Sequence, residues 1–369
     1  MKKRVFWILL CILATMVLLP GCGKKKAPEP EPVAETTPEP EPEPELPKDP
    51  VGKARSYTTG QWIDEAVAKQ RPYAVMIGNT VDALPQYGIS KADIIYEVPV
   101  EGGLTRLMAI FQDTSGLDKI GSNRSCRHYF IFFALEFDAI YAHFGQSAYA
   151  VPILAREDVD NISGMDSSVQ SSFYRDKNRK SPHNAFTSDE GLKAATAKKG
   201  YRTTYNDSYK GHYLFAPEEN EVNLSSGADA LLVKPGYLVD KPWFVYHPED
   251  GLYYRYEYKK EQVDAGADNA KLAVKNILVQ YCTWRNADKN GYLDIDTVGE
   301  GSGKYITNGK VIDVTWKKAS EKEPARYYNE AGLEITLNQG KTWVCIQQDN
   351  LKDKFAVYQS EEERNAAVD

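Results

Sequence analysis

The hydrophobic pattern divides the chain into an apolar start, a polar stretch and a long mixed region. Residues 5–19 are almost uninterruptedly apolar and follow a basic segment at residues 2–4. This apolar run falls short of the roughly 20 residues that a membrane-spanning helix needs. A short apolar segment between a basic start and small residues is typical of an export signal. We therefore assign residues 1–21 to a signal peptide.

The polar stretch that follows is dominated by proline and glutamate. The two residue types alternate over most of residues 27–50. Such a segment cannot build a core, because proline removes backbone donors and the like charges repel one another. Proline-rich chains extend by about 3.1 Å per residue. We therefore expect residues 22–55 to be a disordered tether.

Short apolar runs typical of buried strands begin after the tether. They lie at residues 73–77, 93–98, 104–112 and 139–144. Residues 125–138 carry apolar side chains at helical spacing, and Ser147 is a candidate N-cap for a helix that extends to residue 155. The alternation of strands and helices predicts an α/β domain over residues 56–240, with a mixed sheet and flanking helices.

The pattern changes at about residue 241, where helical periodicity fades and turn signals multiply. Asn308 and Gly309 lie between two alternating apolar segments, which is the strongest short-range signal for a β-hairpin. We therefore expect a mostly β C-terminal lobe over residues 241–369. The predicted fold class is an α/β domain followed by this mostly β lobe.

Charge and cysteine content exclude several classes of protein. The net charge of −7 gives no electrostatic footprint for nucleic acid. Cys126, Cys282 and Cys345 lie in the predicted folded part, and an odd number of cysteines allows at most one internal disulfide. No cysteine pair has zinc-ribbon or thioredoxin spacing, and no HExxH or GxSxG motif occurs. We therefore expect no metal and no cofactor.

The densest group of candidate residues lies where the helix at 125–138 is predicted to begin. Arg124 and Arg127 would place positive charge at a helix N-terminus, which opposes the helix dipole. Such an arrangement requires a facing anion. The carboxylates of Asp93, Glu97 and Glu101 could supply it in a structural network. Alternatively, the anion is a phosphate or carboxylate ligand.

Other candidates lie at strand ends and in the adjoining loops, where the sites of α/β proteins form. Arg106 follows a glycine pair and could join the same group. His143 and His183 could supply a general base, or they could be hydrogen-bonding structural residues. No catalytic residue is assigned. The candidate ligand-binding residues are Asn79, Asp93, Glu97, Glu101, Arg106, Arg124, Ser125, Arg127, His143, Ser147, His183 and Asn184.

The end of the signal peptide carries information about location. Cys22 directly follows Gly21, and this arrangement resembles a bacterial lipoprotein signal. The resemblance implies that cleavage makes Cys22 the first residue and that fatty acyl chains such as palmitate are attached to it. Several acyl chains anchor a protein stably to a membrane. The expected location is therefore the extracytoplasmic face of the bacterial cell membrane.

A set of short motifs supports a second resemblance. They are YAVMIGN at 73–79, SKADIIYE at 90–97, EGGLTR at 101–106, IGSNRSCR at 120–127, HFGQS at 143–147, SPHN at 181–184 and GKTW at 340–343. With these motifs the chain resembles the YerB-like lipoproteins, the DUF3048 family, over roughly residues 70–350. The sequence departs from the family pattern at 121–124, where Gly-Pro-Val-Arg is expected, and at Cys126, where a small residue is usual. The resemblance implies a fold and a location but no established activity.

These observations lead to one expected function and two alternatives. We expect a membrane-anchored lipoprotein that binds an anionic cell-envelope ligand, such as a small molecule or cell-wall component, or a partner protein, in a cleft between the lobes. The first alternative is a hydrolase or phosphotransferase that acts on the envelope. Its layout resembles the LytR-CpsA-Psr phosphotransferases, with Arg124 and Arg127 binding phosphate and Asp93 as a metal or base residue. The second is a structural assembly lipoprotein. Whether the chain is an enzyme stays open.

Overall fold

Strands predominate on both sides of residue 240. The computed structural model describes residues 49–368, so the predicted signal peptide, Cys22 and the tether up to residue 48 lie outside the described residues. The strands of the first part are β1 (Lys53–Arg55), β2 (Trp62–Asp64), β3 (Tyr73–Gly78), β4 (Ile94–Pro99), β5 (Thr105–Phe111), β6 (Ile120–Gly121), β7 (Ile140–His143), β8 (Asn161–Ser163), β9 (Phe173–Arg175), β10 (Ala185–Thr187), β11 (Leu214–Phe215), β12 (Ala228–Asp229) and β13 (Leu232–Lys234).

The second part consists almost entirely of strands. They are β14 (Trp243–His247), β15 (Leu252–Glu257), β16 (Lys260–Glu261), β17 (Val263–Asp264), β18 (Ala270–Lys271), β19 (Ala273–Val274), β20 (Asn276–Cys282), β21 (Trp284–Asn286), β22 (Leu293–Ile295), β23 (Gly299–Thr307), β24 (Lys310–Lys318), β25 (Arg326–Tyr328), β26 (Thr336–Leu337), β27 (Thr342–Gln348) and β28 (Ala356–Tyr358). The α-helices are α1 (Glu65–Ala68), α2 (His128–Leu135), α3 (Val151–Leu154), α4 (Asp189–Lys199) and α5 (Glu361–Val368).

One eleven-stranded sheet contains strands from both parts. Its order is β12-β24-β23-β20-β27-β4-β5-β3-β7-β8, with β25 paired to β24. The inner strands β3, β4 and β5 are buried along their whole length. Strands that are apolar on both faces are stable only when both faces of the sheet are covered.

The parallel pairing of β27 with β4 joins the two parts. It places Trp343 beside Ile95 and Cys345 beside Glu97. The strands that we expected in a separate C-terminal lobe therefore continue the sheet of the first part. Residues Asp49–Asp369 form one compact unit.

Each face of the central sheet packs against a different layer. On one face, Ile95 and Trp343 belong to a core that includes Phe244 and Tyr253 of a six-stranded sheet, β16-β15-β14-β13-β28 with β19. On the other face, Tyr96 belongs to a core that includes the aromatic side chains of α2. The alternation of side chains along β4 explains how one strand serves both cores.

The fold class is confirmed by these elements. All four predicted apolar runs form strands, and the helix predicted at 125–138 is present as α2. The Asn308-Gly309 hairpin connects β23 to β24, and both turn residues have positive φ, 47° and 73°. Positive φ at both positions is the requirement of a type I′ turn.

The helix predicted after Ser147 differs from the expectation. Residues Ala148–Ala150 form a 3-10 turn, α3 covers only Val151–Leu154, and the hydroxyl of Ser147 makes no capping hydrogen bond. Pro152 lies in the first turn of α3 and has no backbone N–H that could donate to a carbonyl of the preceding 3-10 turn. The two short segments therefore do not merge into one regular helix.

The ends of the described part add two observations. Strand β1 pairs with β2 through Lys53, Ala54 and Arg55, so regular structure begins before residue 56, where we expected the folded part to start. Within residues 49–368, no helix is both long enough and apolar enough to cross a membrane.

Candidate functional site

Three arginines meet at the end of strand β3. Arg106 of β5 pairs with Gly78, the last residue of β3. The backbone N–H of Gly78 also donates to the carbonyl of Ser122 at 2.9 Å, which holds the loop between β6 and α2 beside the same strand end. This loop carries Arg124 and Arg127. We call Arg106, Arg124 and Arg127 the arginine cluster.

Gly78 allows this close approach because it has no side chain. A Cβ atom at this position would lie 2.9 Å from the Cβ of Ala83 and 3.2 Å from both Arg124 Cγ and Ser122 Oγ. The packed interior does not accommodate contacts this short without local shifts. A glycine is therefore needed for Arg124 to lie across the end of β3.

Glu101 neutralises only one member of the cluster. Arg127 donates to both carboxylate oxygens of Glu101, from Nε at 2.7 Å and from a terminal nitrogen at 2.5 Å. Burial opposes ionisation of Glu101, but the hydrogen bond and charge of Arg127 outweigh it, so the pKa of Glu101 is lowered. This two-point pair has the geometry of a strong arginine–carboxylate interaction.

Arg106 is almost completely buried and lacks a carboxylate partner among the residues that the structure describes. Its side chain is 8% exposed and donates one hydrogen bond, at 2.6 Å, to the carbonyl of Ser125. Burial, followed by the charges of Arg127 and Arg124, lowers the pKa of Arg106 to about 10. Arg106 therefore keeps its charge at neutral pH while its neighbours repel it.

Arg124 has only neutral partners within the described part of the chain. It donates to the carbonyl of Pro182 at 3.0 Å and lies 3.4 Å from Nδ1 of His183. Burial and the charge of Arg127 lower the pKa of Arg124. Partial burial and the charge of Arg124 also lower the pKa of His183, which favours the neutral ring that can accept from the arginine.

Several buried polar atoms next to the cluster have no hydrogen-bond partner among the described residues. They are the hydroxyls of Thr80 and Ser122 and the side-chain oxygen and nitrogen of Asn123. Buried polar groups in proteins are almost always satisfied, so such a concentration calls for a specific explanation. Ser122 and Asn123 directly precede Arg124, and Thr80 lies two residues after Gly78.

This arrangement is suited to an oxyanion. Arg106 and Arg124 form no ion pair within the described part of the chain, so their guanidinium groups can donate charged hydrogen bonds to a phosphate or a carboxylate. Residues of the second part border the cluster, because the ring of Tyr292 lies 5.5 Å from the guanidinium of Arg127. The described residues contain no group of three or more side chains arranged to hold a metal ion.

Asp93 and Glu97 lie apart from the arginines they were expected to face. Asp93 precedes β4 at the end away from Arg106, and it accepts from Thr58 Oγ1 at 2.7 Å and from the backbone of Gln112 at 3.1 Å. Glu97 binds Arg255 instead, through both carboxylate oxygens at 3.0 Å. Of the predicted ion pairs, the described structure contains the one between Arg127 and Glu101.

His143 is fully buried and both of its ring nitrogens have partners. Nδ1 lies 2.8 Å from the carbonyl of Gly145 and Nε2 lies 3.4 Å from Oδ1 of Asn161. Burial lowers the pKa of His143. Ser147 is also buried, and its hydroxyl has no partner among the described residues. A histidine held in this way has the environment of a structural residue.

The remaining candidates divide between the cluster and its surroundings. Ser125 contributes its carbonyl to Arg106, whereas Asn184 accepts from Arg175 at 2.7 Å. The structure therefore brings together Glu101, Arg106, Arg124, Ser125, Arg127 and His183.

A second polar group, which the sequence analysis missed, lies between the two large sheets. Arg255 of β15 binds Glu97 and also Glu257, at 3.1 Å, and all three side chains are buried. Asp240 accepts from Thr105 Oγ1 at 2.8 Å and from Tyr258 at 2.5 Å. We call Glu97, Asp240 and Glu257 together the buried acidic group.

Asn79 belongs to this group and not to the arginine cluster. Its Nδ2 donates to Thr105 Oγ1 at 2.7 Å and to Glu257 at 2.8 Å. Burial raises the pKa of Glu257 to about 7, and the charges of Glu97 and Asp240 add to the shift, although Arg255 opposes it. Two of these carboxylates, those of Glu97 and Glu257, thus share one buried arginine.

A strand pattern could have revealed part of this group. Buried and half-buried positions alternate along β15, and Tyr253, Arg255 and Glu257 occupy the buried face. Two charged residues at the inward positions of an amphipathic strand indicate a buried ion pair. The partner Glu97 lies 158 residues away in the sequence and gives no local signal.

Comparisons with known proteins cover both parts of the chain. Residues 58–202 match the family described as "Protein of unknown function (DUF3048) N-terminal domain". Residues 233–344 match the family described as the DUF3048 C-terminal domain, also of unknown function.

A curated relative and a solved structure extend this similarity. The chain is 30% identical over 308 residues to the "Putative lipoprotein YerB" of Bacillus subtilis (strain 168), which covers 81% of this chain and 87% of the relative. The crystal structure of the YerB protein from Bacillus subtilis matches with a TM-score of 0.73 and 28% identity, over 83% of this chain and the whole of that chain.

Proposed function

The chain belongs to the DUF3048 family, and on that premise we propose that it is a lipid-anchored protein of the bacterial cell envelope that binds an anionic ligand at the arginine cluster. The anchor is proposed from the signal pattern that ends at Cys22 and from the name of the relative, which calls that protein a lipoprotein. An acylated cysteine and an extended tether would hold the folded part on the extracytoplasmic side of the membrane.

One observation carries the proposed binding. Arg106 is almost completely buried and Arg124 is half-buried, and neither forms an ion pair with a carboxylate among residues 49–368. Shielding a charge without a counter-ion is unfavourable. A bound oxyanion would supply the missing counter-charge, and the nearby hydroxyls of Ser122 and Thr80 could donate further hydrogen bonds to it.

The chemistry of the site defines the ligand as an oxyanion. Phosphate and carboxylate groups both match the planar fork of an arginine. Both occur in envelope polymers and on protein surfaces, so the proposal includes a small envelope molecule, a cell-wall component and an acidic partner protein as sources of the anion.

A thermal-shift titration tests this proposal. The protein comprising residues 49–369 is titrated with sodium phosphate, sodium pyrophosphate and sodium acetate at constant ionic strength. We expect one of these anions to raise the melting temperature of the wild-type protein, because a ligand that binds only the folded state stabilises it. The Arg124→Ala variant should lose this anion-dependent shift.

Arg202→Ala is the matched control. Arg202 is a partly exposed arginine that pairs with Asp138 near the start of β7, at the opposite end of the sheet from the cluster. This variant should respond to the anion as the wild-type protein does. An equal shift in wild type and Arg124→Ala, or no shift with any of the anions, contradicts anion binding at the cluster.

A further inference from the structure

A cavity lies away from the arginine cluster. It has a volume of about 710 Å³ and is bounded by the segment that connects β13 to β14, by the residues after β15 and by α5. This volume falls within the range of small-molecule sites, about 300–1,000 Å³. None of the three clustered arginines lines it.

The wall of this cavity is apolar. Leu238 and Val239 line it, although 48% and 47% of their surfaces are exposed. Trp243 adds a large aromatic surface, and its ring stacks on Tyr256 at 5.5 Å between centroids. Aliphatic side chains exposed side by side in a concave wall indicate a site for an apolar group, because covering them releases water from apolar surface.

The rim of the cavity is positively charged. Four lysines are among the lining residues, namely Lys234, Lys241, Lys259 and Lys354, and the last three are exposed, so we call the cavity the lysine-rimmed pocket. Asp240 is the one acidic residue among the described lining residues, and it is 1% exposed and bonded to Thr105 and Tyr258.

The rim lysines differ in how far their charges are already compensated. Lys234 donates to the carbonyl of Ala367 in α5 at 2.7 Å, and Lys354 lies 3.1 Å from the exposed carboxylate of Asp353. Lys241 and Lys259 have no carboxylate within ion-pair distance in the described part of the chain, and both are exposed. On a chain with a net charge of −7 this pocket is therefore a local positive site.

An apolar wall and a positive rim together specify the ligand. We propose that the lysine-rimmed pocket binds an anionic amphiphile, with an alkyl chain against Leu238, Val239 and Trp243 and an anionic head at Lys241 and Lys259. A fatty acid supplies a carboxylate head and a single-chain phospholipid supplies a phosphate head. Both ligands consist of one alkyl chain and one oxyanion head group. The inference does not depend on ligand binding at the arginine cluster.

Calorimetric titration with three dodecyl compounds tests the proposal. Dodecanoate carries a carboxylate, dodecyl phosphate carries a phosphate and dodecyl maltoside has the same chain with a neutral head. Each is added below its micellar concentration to the protein comprising residues 49–369. We expect at least one of the two anionic compounds to bind about tenfold more tightly than the maltoside, since two lysines contact the head. The tighter of the two anions identifies the head group.

Variants locate the binding to the pocket. The double variant Lys241→Ala/Lys259→Ala should weaken binding of the anionic compounds about tenfold and leave the maltoside unaffected. Leu238→Asp should abolish binding of the alkyl chain. Lys260→Ala is the matched control, because Lys260 is exposed, adjacent in sequence and outside the pocket lining. The double lysine variant should keep the anion-dependent rise in melting temperature that Arg124→Ala loses, which separates this pocket from the arginine cluster.

Four outcomes would overturn the inference. The first is maltoside binding as tightly as the anions, and the second is undiminished anion binding by the double lysine variant. The third is a protein that sediments as a dimer which Leu238→Asp dissociates, because a second copy would then cover the apolar wall. A protein that binds none of the dodecyl compounds also contradicts the proposal.

Discussion

Arg106 and Arg127 show how the same residue type serves different purposes within one cluster. Arg127 is held by two hydrogen bonds to Glu101, so its charge is compensated within the protein. Arg106 is more deeply buried and has only a carbonyl as partner among the described residues. Burial and repulsion lower its pKa to about 10. An anion that binds here would therefore gain most from Arg106 and Arg124, and least from Arg127.

The three cysteines in the described part of the chain lead to a prediction about thiol reactivity. Cys126, Cys282 and Cys345 are free and buried, and burial raises the pKa of Cys126 and of Cys282 to about 12. The reactive thiolate is therefore scarce at about pH 8. We expect the folded protein comprising residues 49–369 to release almost no chromophore from a disulfide reagent such as DTNB. The same protein in guanidinium chloride should react at all three positions, whereas rapid reaction of one thiol in the folded protein would show that it is accessible.

At the scale of elements, β15 holds the central sheet and the six-stranded sheet together through charge. Arg255 and Glu257 on its buried face meet Glu97 of β4, and Trp343 of β27 donates to Glu97 at 3.1 Å. Two carboxylates that approach one buried arginine cannot both ionise freely. Burial is the largest cause of the raised pKa of Glu257, about 7, and proximity to Glu97 adds to it.

This coupling predicts how stability changes with pH. Glu257 has a folded pKa of about 7, above its ordinary value of 4.5. Between these values the folded state holds a proton that the unfolded state releases, so raising the pH favours unfolding. The contribution of Glu257 to the free energy of unfolding is on the order of 3 kcal/mol. It is present below about pH 4.5 and is lost as the pH rises through about 7. The Glu257→Gln variant lacks this titration.

Urea unfolding of wild type and Glu257→Gln at about pH 5 and about pH 8 measures the effect. The free energy of unfolding of the wild type minus that of the variant should fall as the pH rises. This difference removes the contributions of histidines such as His143, whose lowered pKa acts in the opposite direction. Glu330→Gln, at an exposed position, is the control for the loss of one negative charge. A constant difference for Glu257→Gln would refute the coupling.

Elements with local signals could be predicted from the sequence, and contacts between distant segments could not. The Asn308-Gly309 turn fixes its own hairpin because both residues tolerate positive φ. The pairing of β27 with β4 has no such signal, since both strands are buried on both faces and mostly apolar, and such strands suit many partners. The same limit explains why the arginine cluster could be predicted in part and the Arg255–Glu97 pair could not. Arg124 and Arg127 adjoin one helix start, whereas Arg255 meets Glu97 only after the two sheets pack.

On the scale of the whole molecule, the central sheet connects two parts that differ in their hydrophobic periodicity and in their turn signals. Strands β20, β23, β24 and β27 come from the second part and continue the sheet beyond β4. Each of the two cores combines side chains from both parts, for example Ile95 with Trp343 on one face and Tyr96 with Val344 on the other. The boundary at residue 240 remains a prediction, and the shared sheet indicates that the parts depend on each other for stability.

This dependence predicts one cooperative unfolding transition for residues 49–369. A fragment limited to residues 49–240 would expose the edge of β4 that β27 covers, together with apolar surface from both cores. An exposed apolar edge strand favours aggregation over folding. We expect far-UV circular dichroism and tryptophan fluorescence of the intact protein to report the same midpoint in urea. The fragments 49–240 and 241–369, prepared in the same way, should each lack a cooperative transition. Cooperative unfolding of either fragment alone, or separate midpoints for the two probes, would show that the parts are independent domains despite their common sheet.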